Sequence, residues 1–310
     1  MASIDIEQNK PECLGWLKAQ RRYYAQAKSV QTAYLVIALA LPIFGLCAAS
    51  FFSEDRLITV KATVAYVSIL LLLAEVGILS GLQRDLTKKA AKIQELFDTK
   101  VLCIPWSKFV VGTKIDTEDI KIISMDEFSE EDKKKFTDWY EPTAGTLPIE
   151  LGRLICQRTN ITYDMRVRRL YARGLLAFVI VLFVILSLIG LYEGSKFSDL
   201  LLTLFLPFLP LASFVLKDYR KHIDAIEGLT NLKGEVEKLW ANALENPTSK
   251  ELTNQSRDLQ DAIYRNRTSN PLIYDWVYKM LRNKNEMVAY TGAKYYVAQA
   301  QEALNAGGAQ

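Results

Sequence analysis

The stretch LLAFVIVLFVILSLIGLY, residues 175–192, holds no charged side chain. At about 1.5 Å per residue a helix of this length is close to the roughly 30 Å of a bilayer's hydrocarbon core. Three further runs are mostly apolar and of similar length: Ala33–Phe52, Thr59–Leu82, which holds Lys61 and Glu75, and Leu200–Leu216. Inside a bilayer a helix satisfies its own backbone hydrogen bonds, whereas an isolated strand or loop cannot. The chain therefore reads as a predominantly α-helical membrane protein with four transmembrane helices in two hairpins. About thirty polar residues precede the first run, which argues against a cleaved leader.

Basic residues set the expected orientation. Arg21, Arg22 and Lys28 precede the first run, and Arg84, Lys88, Lys89 and Lys92 follow the second. Arg166, Arg168, Arg169 and Arg173 precede the third, and Lys217, Arg220 and Lys221 follow the fourth. By the positive-inside rule all four flanks are cytoplasmic, as are both termini. The intervening SEDRL (53–57) and EGSKFSD (193–199) hold one basic residue each and are too short to fold. The expected organisation is a cytoplasmic N-terminal segment (1–32), hairpins at 33–82 and 175–216, a cytoplasmic insert (83–174) and a cytoplasmic helical C-terminal region (217–310). On that side the sequons at Asn160 and Asn266 carry no glycan.

Composition narrows the function. Lys plus Arg total 38 against 35 Asp plus Glu, a net charge of +3, too balanced for a chain that coats DNA or RNA. One histidine, His222, and four scattered cysteines without a CxxC pair argue against a metal centre, and cytoplasmic thiols argue against disulfides.

Outside the spans, apolar spacing at Leu86, Ile93 and Phe97 extends the second helix beyond the membrane, and Ile223, Ile226, Val236, Trp240 and Leu244 extend the fourth as far as Asn246-Pro247. Between them VLCIPW (101–106) and KFVVG (108–112) read as short strand-like or buried pieces and DEFSEEDKKK (126–135) as a charge run, so residues 98–150 are expected to form a small mixed α/β insert. Asn270 before Pro271 reads as an N-cap with proline at the first helical position, and Trp276 as core. The last helix runs through Met287 and Tyr295 towards a Gly-rich tail.

Several groups invite a functional reading. Lys61, Ser68 and Glu75, seven apart, share one helix face, which is either a pore or helix-contact stripe or a pair of charges snorkelling to opposite interfaces. Pro207 and Pro210 kink the fourth span, as a gating hinge or as ordinary packing. Arg153, Arg158, Asn160, Tyr163 and Arg166 to Arg173 offer forks and rings suited to phosphates and bases, and equally to anionic lipid. In IYRNRTSNPLIYDWVYKMLRNKNE (263–286), Arg265, Arg267, Tyr274, Trp276 and Arg282 form a ligand clamp or a helix seam, with Arg282 and Glu286 at ion-pair spacing. No nucleophile stands beside a base there, so no catalytic residues are assigned and the protein is not expected to be an enzyme.

Two spans, an insert, two more spans and a helical tail, with DWYEPTAGTLP, LICQRTNITYDMRVRRLY and the 263–286 stretch, resemble the SMODS-associated four-transmembrane effector family. The resemblance implies a pore-forming effector of bacterial antiphage (CBASS) systems. A cyclic oligonucleotide from a partner synthase would be its signal, and homo-oligomerisation in lipid the route to membrane breach and abortive infection. It implies no cofactor beyond that ligand. Cys156, Gln157, Arg158 and Asn160 match one family segment, and Arg265, Asn266, Pro271, Asp275, Trp276, Arg282 and Glu286 the other. The alternative from the residues alone is a small channel or transporter gated by another cytoplasmic signal.

Overall fold

The structure, a computed structural model, describes residues 3–48, 51–124, 134–247, 249 and 251–307. Its helices are α1 (Ile4–Gln8), α2 (Pro11–Cys47), α3 (Glu54–Ala74), α4 (Ser80–Val101), α5 (Thr117–Ser124), α6 (Ile149–Tyr192), α7 (Phe197–Leu200), α8 (Leu206–Glu245), α9 (Glu251–Ser269) and α10 (Asp275–Gly307). A 3₁₀ turn covers Pro142–Thr146, and single π turns at Glu75–Leu79 and Leu201–Phe205 join α3 to α4 and α7 to α8. In each π turn the next amide reaches back five residues, Ser80 N–H to the Glu75 carbonyl and Leu206 N–H to that of Leu201.

The chain divides into two compact units. One comprises Gln26–Asp85 and Arg169–Ile223. Four helices are long and apolar enough to cross a membrane, Pro11–Cys47, Asp55–Val101, Ile149–Tyr192 and Phe197–Glu245, and their apolar stretches lie in this unit. Its interior holds Tyr34, Ala38, Val179, Leu186, Leu204, Phe208 and Phe214. Tyr66, Leu73, Ile78, Val181 and Leu188 stay exposed, an apolar exterior that water would penalise and lipid accepts. Pro207 and Pro210 deny N–H partners to the carbonyls four residues back, those of Thr203 and Leu206. The Thr203 carbonyl instead faces Gly45, whose missing Cβ makes room for it, and Tyr34 donates to the Pro210 carbonyl at 3.0 Å. Lys61 Nζ donates to Asp199 at 2.9 Å, Ser68 is buried, and Glu75 accepts from Lys217 at 2.9 Å. The stripe is thus turned towards protein partners within the unit.

The other unit comprises Met1–Ala25, Leu86–Arg168 and Asp224–Gln310. Its core gathers Leu17, Phe97, Leu102, Tyr140, Leu154, Ile155, Val236, Trp240, Leu259, Ile263 and Val297. The expected α/β insert is overturned, because no β-strand or sheet occurs among the described residues. In place of strands, Val101 closes α4, Ile104 N–H bonds the Thr99 carbonyl, and Ser107–Val111 is a turn closed by Val111 N–H on the Ser107 carbonyl. Leu102, Ile104 and Val111 are buried singly against helices, so the short apolar pieces fill helix gaps rather than pairing as strands. Most of the charge run, 126–133, lies outside the described residues.

Two further expectations are corrected in the 263–286 stretch. Residues 270–274 are not helical and α10 begins at Asp275, so Pro271 does not open the helix. Leu272 and Ile273 are buried and the Pro271 carbonyl accepts from Arg168, which holds the segment as a connection rather than a first turn. Trp276 is 63% exposed; the tryptophan that packs in the core is Trp240, edge-on to Tyr296.

Candidate functional site

Three helices of the second unit bring polar residues to its centre. α4 carries Glu95 and Asp98, α6 carries Gln157 and Asn160, and α9 carries Ser256, Gln260 and Arg267, each set spaced to share a helix face. Glu95, Asp98, Gln157, Ser256 and Gln260 have no exposed surface.

Their hydrogen bonds form one connected chain. Gln157 Nε2 donates to the Ser256 carbonyl (2.9 Å) and to Gln260 Oε1 (3.0 Å), while Ser256 Oγ donates back to Gln157 (2.8 Å). Gln260 Nε2 donates to Glu95 (2.8 Å) and Asp98 (3.1 Å). Asp98 also accepts from Arg267 Nη1 (2.9 Å) and Tyr140 OH (2.8 Å), and Asn160 donates to that same hydroxyl (2.9 Å). Arg257 bridges Glu95 and Asp261 at 2.9 and 2.7 Å. A network this buried specifies the packing of three helices because any missing member strands a charge or dipole.

Glu95 lies on α4 beyond the apolar run. Burial, then neighbouring Asp98, pushes its carboxyl up to about 7. Burial opposes the Arg267 charge, yet Asp98, Tyr24 and Glu95 outweigh it and hold the guanidinium above its ordinary value.

A second cluster fixes the connection after α9. Arg168 donates to Asp164 (2.9 Å) and to the Pro271 carbonyl (2.8 Å), and Asn270 donates to Asp164 (3.1 Å) and Asn266 (2.7 Å). Arg158 points elsewhere, to Glu237 at 3.2 Å, with its guanidinium 4.2 Å from the centre of the Tyr296 ring. Arg282 pairs with Glu286 at 2.6 Å. The structure thus brings Asn160 and Arg267 together, sets Arg158 and Arg282 in separate ion pairs, and leaves Arg265 and Trp276 exposed with Tyr274 half-buried.

Beside the network, α4, the 105–116 segment, α5 and α9 border an open cavity of about 470 Å³ lined by Lys88, Lys89, Lys92 and Lys114, with Asp119 contributed by α5 and Tyr264 and Thr268 by α9. Among the described residues no group of three or more His, Cys, Asp or Glu side chains converges as a metal site.

The sequence profile of the SMODS-associating 4TM effector domain matches residues 2–295. The chain belongs to this family. A SMODS-associating 4TM effector is a multi-pass membrane protein by its four apolar helices, and its family is described by an effector role rather than a catalytic one. A "probable CBASS effector molecule" of Bacillus cereus (strain VD146) is 26% identical over 294 residues, covering 90% of this chain and 93% of that relative. No solved structure matches. Within this SMODS-associating 4TM effector, the 154–171 and 263–286 segments that carried the resemblance meet where Arg168 donates to the Pro271 carbonyl and Asn270 to Asp164, and Asn160 is linked to Arg267 by way of Tyr140 and Asp98.

Sequence reasoning passed over Glu95, Asp98, Gln260 and the lysine cavity. Glu95 and Asp98 lie opposite the Ile93 and Phe97 stripe, the face that is wet on a lone stalk, and the lysines read as a membrane flank.

Proposed function

We propose that this effector responds to a cyclic oligonucleotide made by a partner synthase and, on binding it, assembles in the bacterial inner membrane and permeabilises it, ending infection before phage mature. Family membership across nearly the whole chain is the observation that carries this reading. Both termini and the unit containing the polar network face the cytoplasm, as the basic flanks of the four spans argue. Four mostly apolar helices enclose no wide aqueous path in one chain, so the breach is the work of several copies, with Lys61, Ser68, Glu75, Pro207 and Pro210 at or near the helix contacts that rearrange. The ligand acts by differential affinity for the assembled state. Catalysis has no part in it.

The experiment is dye release from liposomes carrying the purified protein, challenged with cyclic di- and trinucleotides. Release with at least one ligand and none with linear products is the expected result. Intact liposomes under every cyclic nucleotide of the neighbouring synthase would remove direct sensing.

A further inference from the structure

We propose that the cavity between α4, the 105–116 segment and α9 is the phosphate-binding site of this protein, with Lys88, Lys92 and Lys114 as the ligating cations. The assignment of its ligand as the cyclic oligonucleotide rests on the functional reading above. The cavity volume, about 470 Å³, lies within the range of small-molecule sites.

The chemistry of the lining favours a multiply charged phosphate ester. Lys88 and Lys92 stand four residues apart on α4, with Lys89 beside them, and Lys114 arrives from a separate stretch of chain. Among the described residues no ion pair joins these four ammonium groups to a carboxylate. Like charges one helical turn apart repel, and a bound polyanion removes that repulsion. Two of the cations are steadied by rings: Lys89 Nζ lies 5.8 Å from the Tyr23 ring centre and Lys114 Nζ 5.5 Å from that of Trp106.

The remaining lining selects among anions. Asp116 and Asp119 offer acceptors for hydroxyl or amino hydrogens, and Val110, Val111 and Ile115 add an apolar wall. Bare inorganic phosphate would meet those carboxylates unfavourably, whereas a nucleotide presents phosphates to the lysines and sugar or base donors to the aspartates. Tyr264 and Thr268 belong to the same α9 segment as Arg267, so the cavity and the buried network share two helices. α4 in turn belongs to the continuous helix Asp55–Val101 that contains the second apolar span.

The shared chemistry is a phosphate ester, whose source is a free nucleotide or a lipid headgroup, and the test separates them. Full-length protein in phosphatidylcholine nanodiscs is titrated with cyclic di-AMP, cyclic di-GMP and cyclic tri-AMP. Lys88→Gln/Lys92→Gln is expected to weaken binding at least tenfold with Tm unchanged, Lys88→Arg/Lys92→Arg to retain it, and exposed Lys238→Gln to have no effect. Equal affinity in wild type and Lys88→Gln/Lys92→Gln would overturn the site while leaving ligand-triggered dye release intact. Stabilisation by phosphatidylglycerol discs that is lost in the double variant, without nucleotide binding, would overturn the nucleotide assignment and give the site to a headgroup. Lysine-dependent nucleotide binding without any dye release would uphold the site and reject the pore.

Discussion

Arg267 Nη1 lies 2.9 Å from Asp98 Oδ2, and the carboxylate it meets has no exposed surface. That one contact ties α9 to α4 and completes a set in which Asp98 also receives Tyr140 and Gln260. The neighbouring Arg265 is exposed. Two arginines two residues apart in one segment therefore carry different burdens.

Arg267→Ala strands Asp98 in the core. Loss of a buried partner costs about 3 to 5 kcal/mol, and the two remaining donors keep this case near 3, a fall of roughly 6 to 12 °C in Tm. Arg265→Ala should change stability by about 0.5 kcal/mol or less. Thermal unfolding of both variants in one detergent checks the contrast, and equal losses would contradict it.

The pH dependence of stability follows from Glu95. With its folded carboxyl raised to about 7, the folded protein holds a proton that the unfolded chain releases near the ordinary Glu value of 4.5. The stability this supplies is fully present below pH 4.5, declines as pH rises from there to about 7, and is gone above. Tm measured between pH 5 and 8 should fall in the wild type more steeply than in Glu95→Gln, and parallel profiles would exclude Glu95 as the source.

Two glycines separate packing from propensity. A Cβ at Gly45 would collide with the backbone carbonyl of Thr203, which cannot swing aside as a side chain can, whereas Gly174 has open space around it. Gly45→Ala should destabilise by about 1 to 3 kcal/mol and Gly174→Ala should stabilise by up to about 1. Unfolding midpoints in the same micelle give the signs directly.

The tryptophans divide likewise. Trp240 is 5% exposed and donates to Gln299 at 2.8 Å, so Trp240→Ala should cost about 3 to 5 kcal/mol. Trp276→Ala, at a 63% exposed position, should leave the melting curve nearly unmoved. Near-UV circular dichroism during the melt would report loss of tertiary packing only for the first.

The four apolar runs were legible because a stretch of 17 to 24 mostly apolar residues owes its fate to solvent more than to neighbours. Arg282 and Glu286 were legible too, since a contact four residues away is decided locally. Arg267 and Asp98 are 169 residues apart in the chain, and no local rule pairs them. The insert failed for a related reason: short apolar runs such as VLCIPW look the same whether they pair as strands or plug gaps between helices. Trp276 failed because an aromatic on an amphipathic pattern says which face it shares, not whether anything covers that face. Lys88, Lys89, Lys92 and Lys114 were counted as charge and never placed together, because Lys114 comes from a different stretch of chain.

The π turns at Glu75–Leu79 and Leu201–Phe205 bear on how relatives should be aligned. A π turn is an α-helix that has absorbed one surplus residue without breaking. A relative with straight helices would show a one-residue gap at each place, and an alignment that spreads or omits the gap would assign every later position on α4 or α8 to the wrong side of its helix by about 100°. Lys88, Lys92, Glu95 and Asp98 all lie after the first of these turns, so that single gap decides whether their counterparts are recognised at all.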